Sequence, residues 1–140
     1  TMGDTRYIMM EIPNHIPLKF IQEVSFRIKC KGFIPMIAHP ERCHHLALPE
    51  TPKKSWAKIS GSLIGKKESG SNQQNVLNYL VSIGCAFQAN MGSFAGWYGA
   101  NVKKQARLMR ERNIFTHYGT DLHSSSVAQH LPKIVKILED

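Results

Sequence analysis

The sequence predicts an α/β fold, with about four parallel strands alternating with helices, as a parallel sheet or, if barrel-like, part of a barrel. Three observations lead there. Apolar runs of strand length alternate with amphipathic stretches of helical period, and strand regularly precedes helix along the chain. At 42% hydrophobic residues, with 10 Gly and 7 Pro among 140, the composition is that of one globular domain and not of a disordered or collagen-like chain. A complete eight-stranded barrel takes about 250 residues, so a chain of this length is expected to form only part of one.

Residues 7–12 read as a first strand closed by Pro13. Residues 18–31 follow as a helix, with Phe20, Ile21, Val24 and Ile28 on one face and Gly32 where a C-terminal cap is expected. Residues 33–38 are the second strand, where Pro35 is tolerable only near the strand's start. The composition then shifts to Pro, Lys, Ser and Gly, and PETPKK and KKESGSNQQ mark a loop-like insertion over 48–74. Residues 75–83 read as a short helix with Asn75 as N-cap and Gly84 as its stop, and 85–89 as the third strand. A glycine-rich turn over 92–99, a basic helix over 102–112 and a fourth strand over 114–118 come next. A last helix over 126–138 buries Val127, Leu131, Ile134, Val135 and Leu138. No internal repeat is present.

Lys and Arg number 18 against 10 Asp and Glu, a net charge of +8 that biases the surface toward anionic partners. The basic residues are dispersed in pairs and along one helix. They read as solvated faces, and a nucleic-acid footprint is not expected. Three cysteines, Cys30, Cys43 and Cys85, with no CxxC spacing suggest neither a disulfide framework nor a thiolate zinc site. No apolar run approaches the roughly 18 residues of a bilayer span, so no membrane insertion is expected. The opening TMGDTRYIMMEIP has no secretory character, which makes the cytoplasm the expected compartment. Cys43 is followed five residues later by Leu48 rather than the arginine of a cysteine phosphatase. No GxSxG elbow occurs, and GSLIGKK lacks the length and terminal Ser/Thr of a P-loop.

In folds of parallel strands, functional groups gather where the strands end. The four strand ends carry Glu11, His39 in AHPER, Asn90 in NMGS, and Asp121 with His123 in GTDLH. Glu11, His39, Asp121 and His123 are metal-ligand types, and such a mixed set suits Mn, Fe or Zn. Each also has a plainer role: Glu11 pairing with a lysine, His39 a satisfied strand-end histidine, Asp121 capping the loop before the last helix. Asp121 and His123 share a side only if the strand runs through both. Arg42 can clamp a phosphate bidentately, or it can pair with Glu41 or another acid. His44 and His45 read as surface residues, and His15, His117 and His130 as structural or exposed ones.

Taken in order, EIP with a further proline four residues on (Glu11 to Pro17), GFIPMIAHPER, QANMGSFAGWYG and TDLH resemble the C-terminal half of bacterial PHP-type tyrosine-protein phosphatases of capsular and exopolysaccharide operons. The resemblance covers most of the chain outside the insertion, and AHPER is its specific element. It implies a PHP-type distorted (β/α) barrel holding up to three divalent metal ions, commonly manganese, that generate a hydroxide to attack phosphorus. It implies that Glu11 bridges metals, that His39, Asp121 and His123 ligate them, and that Arg42 binds the substrate phosphate, with Arg42 and His39 as the catalytic pair. It further implies a phosphotyrosine-containing kinase tail as partner, and homo-oligomers.

The family's opening His-x-His strand has no counterpart here, Ala128 stands where a second phosphate-binding arginine is often found, and the insertion is longer and more basic than usual. Residues 1–140 are therefore expected to be the C-terminal part of a PHP-like domain, incomplete as a catalyst. Two other readings stay open: a PHP phosphatase of a small phosphomonoester, and a non-catalytic PHP-like binding or regulatory module.

Overall fold

A computed structural model describes residues 4–49, 71–121 and 135–136. Along the chain run β1 (Tyr7–Met10), α1 (Leu18–Cys30), β2 (Ile34–Ala38), two single-turn 3-10 helices (Pro40–Arg42 and His44–Leu46), α2 (Ser71–Ser82), β3 (Ala86–Asn90), α3 (Met91–Ala95), α4 (Ala100–Glu111) and β4 (His117–Gly119). Most of the expected insertion and of the last helix, together with His123, Ala128 and His130, lies outside the described residues; Val135 and Lys136 are helical.

Three helices stop in the same way, and each stop delivers a strand. After α1, Gly32 takes φ 82°, its N–H donates to Lys29 and the next N–H, of Phe33, donates back to Ile28. After α2 the same pair of bonds runs from Gly84 (φ 72°) to Val81 and from Cys85 to Leu80. After α4 it runs from Asn113 (φ 54°) to Arg110 and from Ile114 to Met109. This is the Schellman closure, whose left-handed residue costs glycine nothing and asparagine little.

The four strands form one parallel sheet in the order β1-β2-β3-β4. That order has no reversal point and is the order of an arc of a barrel. The arc is strongly bent: the rings of Tyr7 on β1 and His117 on β4 meet edge to face at 5.0 Å. Two strands lying between them in a flat sheet would separate these residues by about 14 Å, at roughly 4.8 Å per strand. Pro35 is compatible with a central strand because the β2–β3 ladder begins only at Met36 opposite Ala86. Its missing N–H therefore falls below the first rung.

Side chains alternate across the sheet. Met10, Ile37 and Phe87 point outward into the main core, where Ile21 of α1 and Val76, Leu77 and Leu80 of α2 close over them. Ala89, Phe94 and Ala106 make a smaller core with Phe115. Several sequence expectations need correction here. Phe20 is 54% exposed, because the buried stripe of α1 runs through Ile21 and Ser25. Asn75 does not cap α2 but lies inside it: the polar first turn SNQQN hides a helix start four residues earlier, within the stretch expected to be loop. Part of the glycine-rich stretch is the single-turn helix α3.

Gly84→Ala is expected to cost about 1–2 kcal/mol through its left-handed φ, and Phe87→Ala, at a site 1% exposed, about 3–5 kcal/mol; both are read from urea unfolding curves. Of the three thiols, Cys30 is exposed and Cys43 and Cys85 are buried. Burial pushes the Cys43 thiol up and the Cys85 thiol up to about 11. A thiol reagent at mildly alkaline pH should accordingly modify Cys30 fast and the other two only on unfolding.

Candidate active site

Because all four strands run parallel, their C-terminal ends open on one edge. A cavity of about 220 Å³ lies there, lined among others by Met9, His39, Gln88, Asn90 and Asp121. Glu11 follows β1 directly, His39 follows β2, Asn90 ends β3 and Asp121 lies two residues beyond β4. The expected site residues within the described part of the chain thus share this edge.

His39 occupies the left-handed region at φ 34° and ψ 57° while preceding Pro40, a conformation both the side chain and the following proline disfavour. The strain is held by the neighbouring strand, since the His39 N–H donates to the Gln88 carbonyl at 2.8 Å. Its Nε2 faces Glu11 Oε1 at 3.4 Å, so Glu11 meets the histidine rather than a lysine. Two ligands of one cation with bonds of about 2.0–2.2 Å sit about 3.4 Å apart in tetrahedral geometry. The pair therefore fits a divalent cation in both donor chemistry and spacing.

Asp121 stands in a second group. Its Oδ2 accepts from Arg42 Nη1 at 3.0 Å and from Asn90 Nδ2 at 3.1 Å. Asn90 Nδ2 also donates to the Tyr98 hydroxyl at 3.2 Å, and the Arg42 guanidinium lies over the Tyr98 ring, 4.3 Å from its centroid. Arg42 hence meets an acid, but the acid is Asp121 and not Glu41. The fourth strand stops at Gly119 and Asp121 turns to φ 49°, so the strand does not carry through Asp121 as a shared side with His123 would require. Among the described residues no three His, Cys, Asp or Glu side chains gather into a cation site. The structure brings together Glu11 with His39 and Arg42 with Asp121, while His123 lies outside the described residues.

The sequence reading missed the tasks of three residues: those of Glu41 and Tyr98 outright, and that of Asn90, which it named only as a strand end. Glu41, read only as a surface partner for Arg42, is 3% exposed. Its Oε1 accepts from the Asn90 N–H at 3.0 Å and from Ser93 Oγ at 2.7 Å. Burial raises its carboxyl above the ordinary value of 4.5, opposed by the Ser93 and Asn90 hydrogen bonds and the nearby His39. Asn90 is an N-cap: its Oδ1 accepts from Gly92 N–H at 2.8 Å, and the Asn-x-Gly spacing of NMG was the available signal. Tyr98 supplies the arginine platform, which no local pattern announced. Gly92 is required by close packing, since a Cβ there would run into the Trp97 ring. Of the histidines, His44 is exposed with its ring tilted against that of His45, 3.9 Å between centroids, His15 is exposed, and His117 packs on Tyr7.

Asn90→Ala removes the α3 cap and the donor to Asp121 and Tyr98 together; a loss of about 1–3 kcal/mol is expected in urea unfolding. Gly92→Ala should shift the Trp97 fluorescence as the ring is displaced.

No protein-family model matches the chain. Tyrosine-protein phosphatase YwqE of Bacillus subtilis (strain 168) is 28% identical over 141 residues, which span 99% of this chain and 46% of YwqE. The putative tyrosine-protein phosphatase CapC of Staphylococcus aureus is 24% identical over 124 residues, 88% of this chain and 39% of CapC. Among solved structures, a chain from the crystallographic work on YwqE from Bacillus subtilis and CpsB from Streptococcus pneumoniae, metal-dependent tyrosine phosphatases, superposes with a TM-score of 0.69 at 28% identity. It covers 98% of this chain and 46% of that one. The chain spans less than half the length of the curated relatives it matches.

Proposed function

We propose, from the premise that this chain is a partial homologue of the metal-dependent tyrosine phosphatases, that it supplies the phosphate-binding and part of the metal-binding side of such an enzyme. The observation that carries the reading is the juxtaposition on one strand edge of a cation-fitting pair, Glu11 and His39, with an arginine set on an aromatic platform, Arg42 over Tyr98. In this reading residues 1–140 are the C-terminal part of a PHP-like domain with an insertion over 48–74.

Glu11, His39, Asp121 and His123 would hold divalent metal, manganese in first place with iron or zinc as alternatives, up to three ions in the whole site. Bound there, such ions neutralise phosphoryl charge and acidify water. Arg42 presents its N–H fork to the phosphate oxygens, a geometry lysine cannot reproduce. Tyr98 keeps the guanidinium plane in place, and Asn90 Nδ2 together with Arg42 fixes the Asp121 carboxylate. The substrate in this reading is the phosphotyrosine-containing tail of a kinase that controls polysaccharide export, and the compartment is the cytoplasm. Among the described residues no helix is long and apolar enough to cross a membrane.

A second reading is a non-catalytic module of the same fold, supported by Ala128 in the place of the second phosphate-binding arginine. Turnover separates the two. In the native polypeptide carrying this chain, manganese-dependent hydrolysis of a phosphotyrosine peptide is expected to fall about 100-fold or more in Arg42→Ala and to stay low in Arg42→Lys. His39→Ala and Glu11→Gln should lower bound metal measured by elemental analysis. Unchanged hydrolysis in Arg42→Ala would refute the phosphatase reading.

A further inference from the structure

The phosphatase reading leaves Glu41 without a task, although it stands between His39 and Arg42 on the turn Pro40–Arg42. Its Oε1 takes two hydrogen bonds from the β3–α3 junction, from the Asn90 N–H and the Ser93 hydroxyl, while its Oε2 is buried with no hydrogen-bond partner. A buried carboxylate with one oxygen unsatisfied is costly. An apolar side chain of similar size would fill the space more cheaply, but it would leave the Asn90 N–H and Ser93 hydroxyl without their acceptor.

The contacts close into a ring. Glu41 holds the Asn90 backbone, Asn90 Nδ2 holds Asp121 and the Tyr98 hydroxyl, and both of these meet Arg42, the neighbour of Glu41 in sequence. We infer that Glu41 is a positioning residue for the phosphate: it ties the loop carrying Asn90 and Tyr98 to the turn carrying His39 and Arg42, so that these groups face the ligand in one arrangement. This rests on the phosphatase reading of the same site. Glu41 acts through Asn90, not on the phosphate.

Three variants of the native polypeptide test it. Glu41→Leu removes the acceptor and keeps bulk, Glu41→Gln keeps a carbonyl oxygen in its place, and Ser93→Ala removes one of the two donors. Each is followed by kcat on a phosphotyrosine peptide with manganese, by melting temperature, and by NMR of the Asn90 backbone and side-chain amides, which does not depend on turnover. In folded Glu41→Leu, kcat is expected to drop about 100-fold, the scale of a misplacement of about 1 Å, and the Asn90 side-chain signals are expected to move. Glu41→Gln should restore most of the rate, and Ser93→Ala should fall between. Wild-type kcat in Glu41→Leu, or unmoved Asn90 side-chain signals in it, would overturn the inference. If Glu41→Leu does not fold, wild-type kcat and unmoved Asn90 signals in Ser93→Ala overturn it instead. If the unmodified protein shows no turnover, the phosphatase reading fails by itself, and the Asn90 signals still decide whether Glu41 positions that group.

Discussion

The curvature of the parallel sheet is the constraint on which the rest of this structure depends. Parallel strands in sequential order deliver every strand end to one edge, and bending the sheet brings those ends within reach of one another. The contact between Tyr7 and His117 across two intervening strands measures how far the bending goes. Without it, Asn90 and Asp121 would still be neighbours, but Tyr7 on the first strand would lie far from His117 on the fourth. The outer helices provide the force: Ile21, Leu77 and Leu80 bury against Ile37 and Phe87 on the convex face, and closing that apolar surface favours an arc over a plane.

Much of this was legible in the sequence, for reasons that can be stated residue by residue. The glycines at 32 and 84 end helices at the expected places because only a left-handed residue closes a helix so tightly onto a strand. The joint after α4 was placed at the same point, between a helix ending at 112 and a strand starting at 114, but its left-handed residue went unnamed because Asn113 fills the glycine's position there. Strand ends were readable as a set because parallel topology follows from the alternation of elements, and with it the shared edge. Helix starts were read less well: α2 opens on a polar turn without apolar period, so its first four residues looked like loop.

The site was legible by residue type and not by pairing. Glu11 and His39 meet as their positions after β1 and β2 suggest. That Arg42 would choose Asp121, 79 residues away, over its own neighbour Glu41 depends on where two loops cross, and no local pattern encodes that. Glu41 illustrates the difficulty most clearly. A charged residue beside an arginine reads as a surface pair, yet on the turn Pro40–Arg42 it is buried, where it meets donors at the end of β3 and in α3. A one-turn helix has no period from which such a direction could be taken.

The pairing of Arg42 with Asp121 also bears on how the guanidinium would meet an anion, as the proposed function requires. The guanidinium is already ordered, clasped by a carboxylate on one side and supported by the Tyr98 ring on the other. The entropy of fixing a long, rotamer-rich side chain, roughly 0.5–1.5 kcal/mol for such a group, is met by the fold before any ligand is present. The incoming anion then exchanges with, or joins, an anion already in place, and the arginine passes from one oxygen partner to the next without being stripped of both. Preorganisation of this kind lowers the entropic cost of binding an anion at the guanidinium, while the carboxylate already in place competes with it.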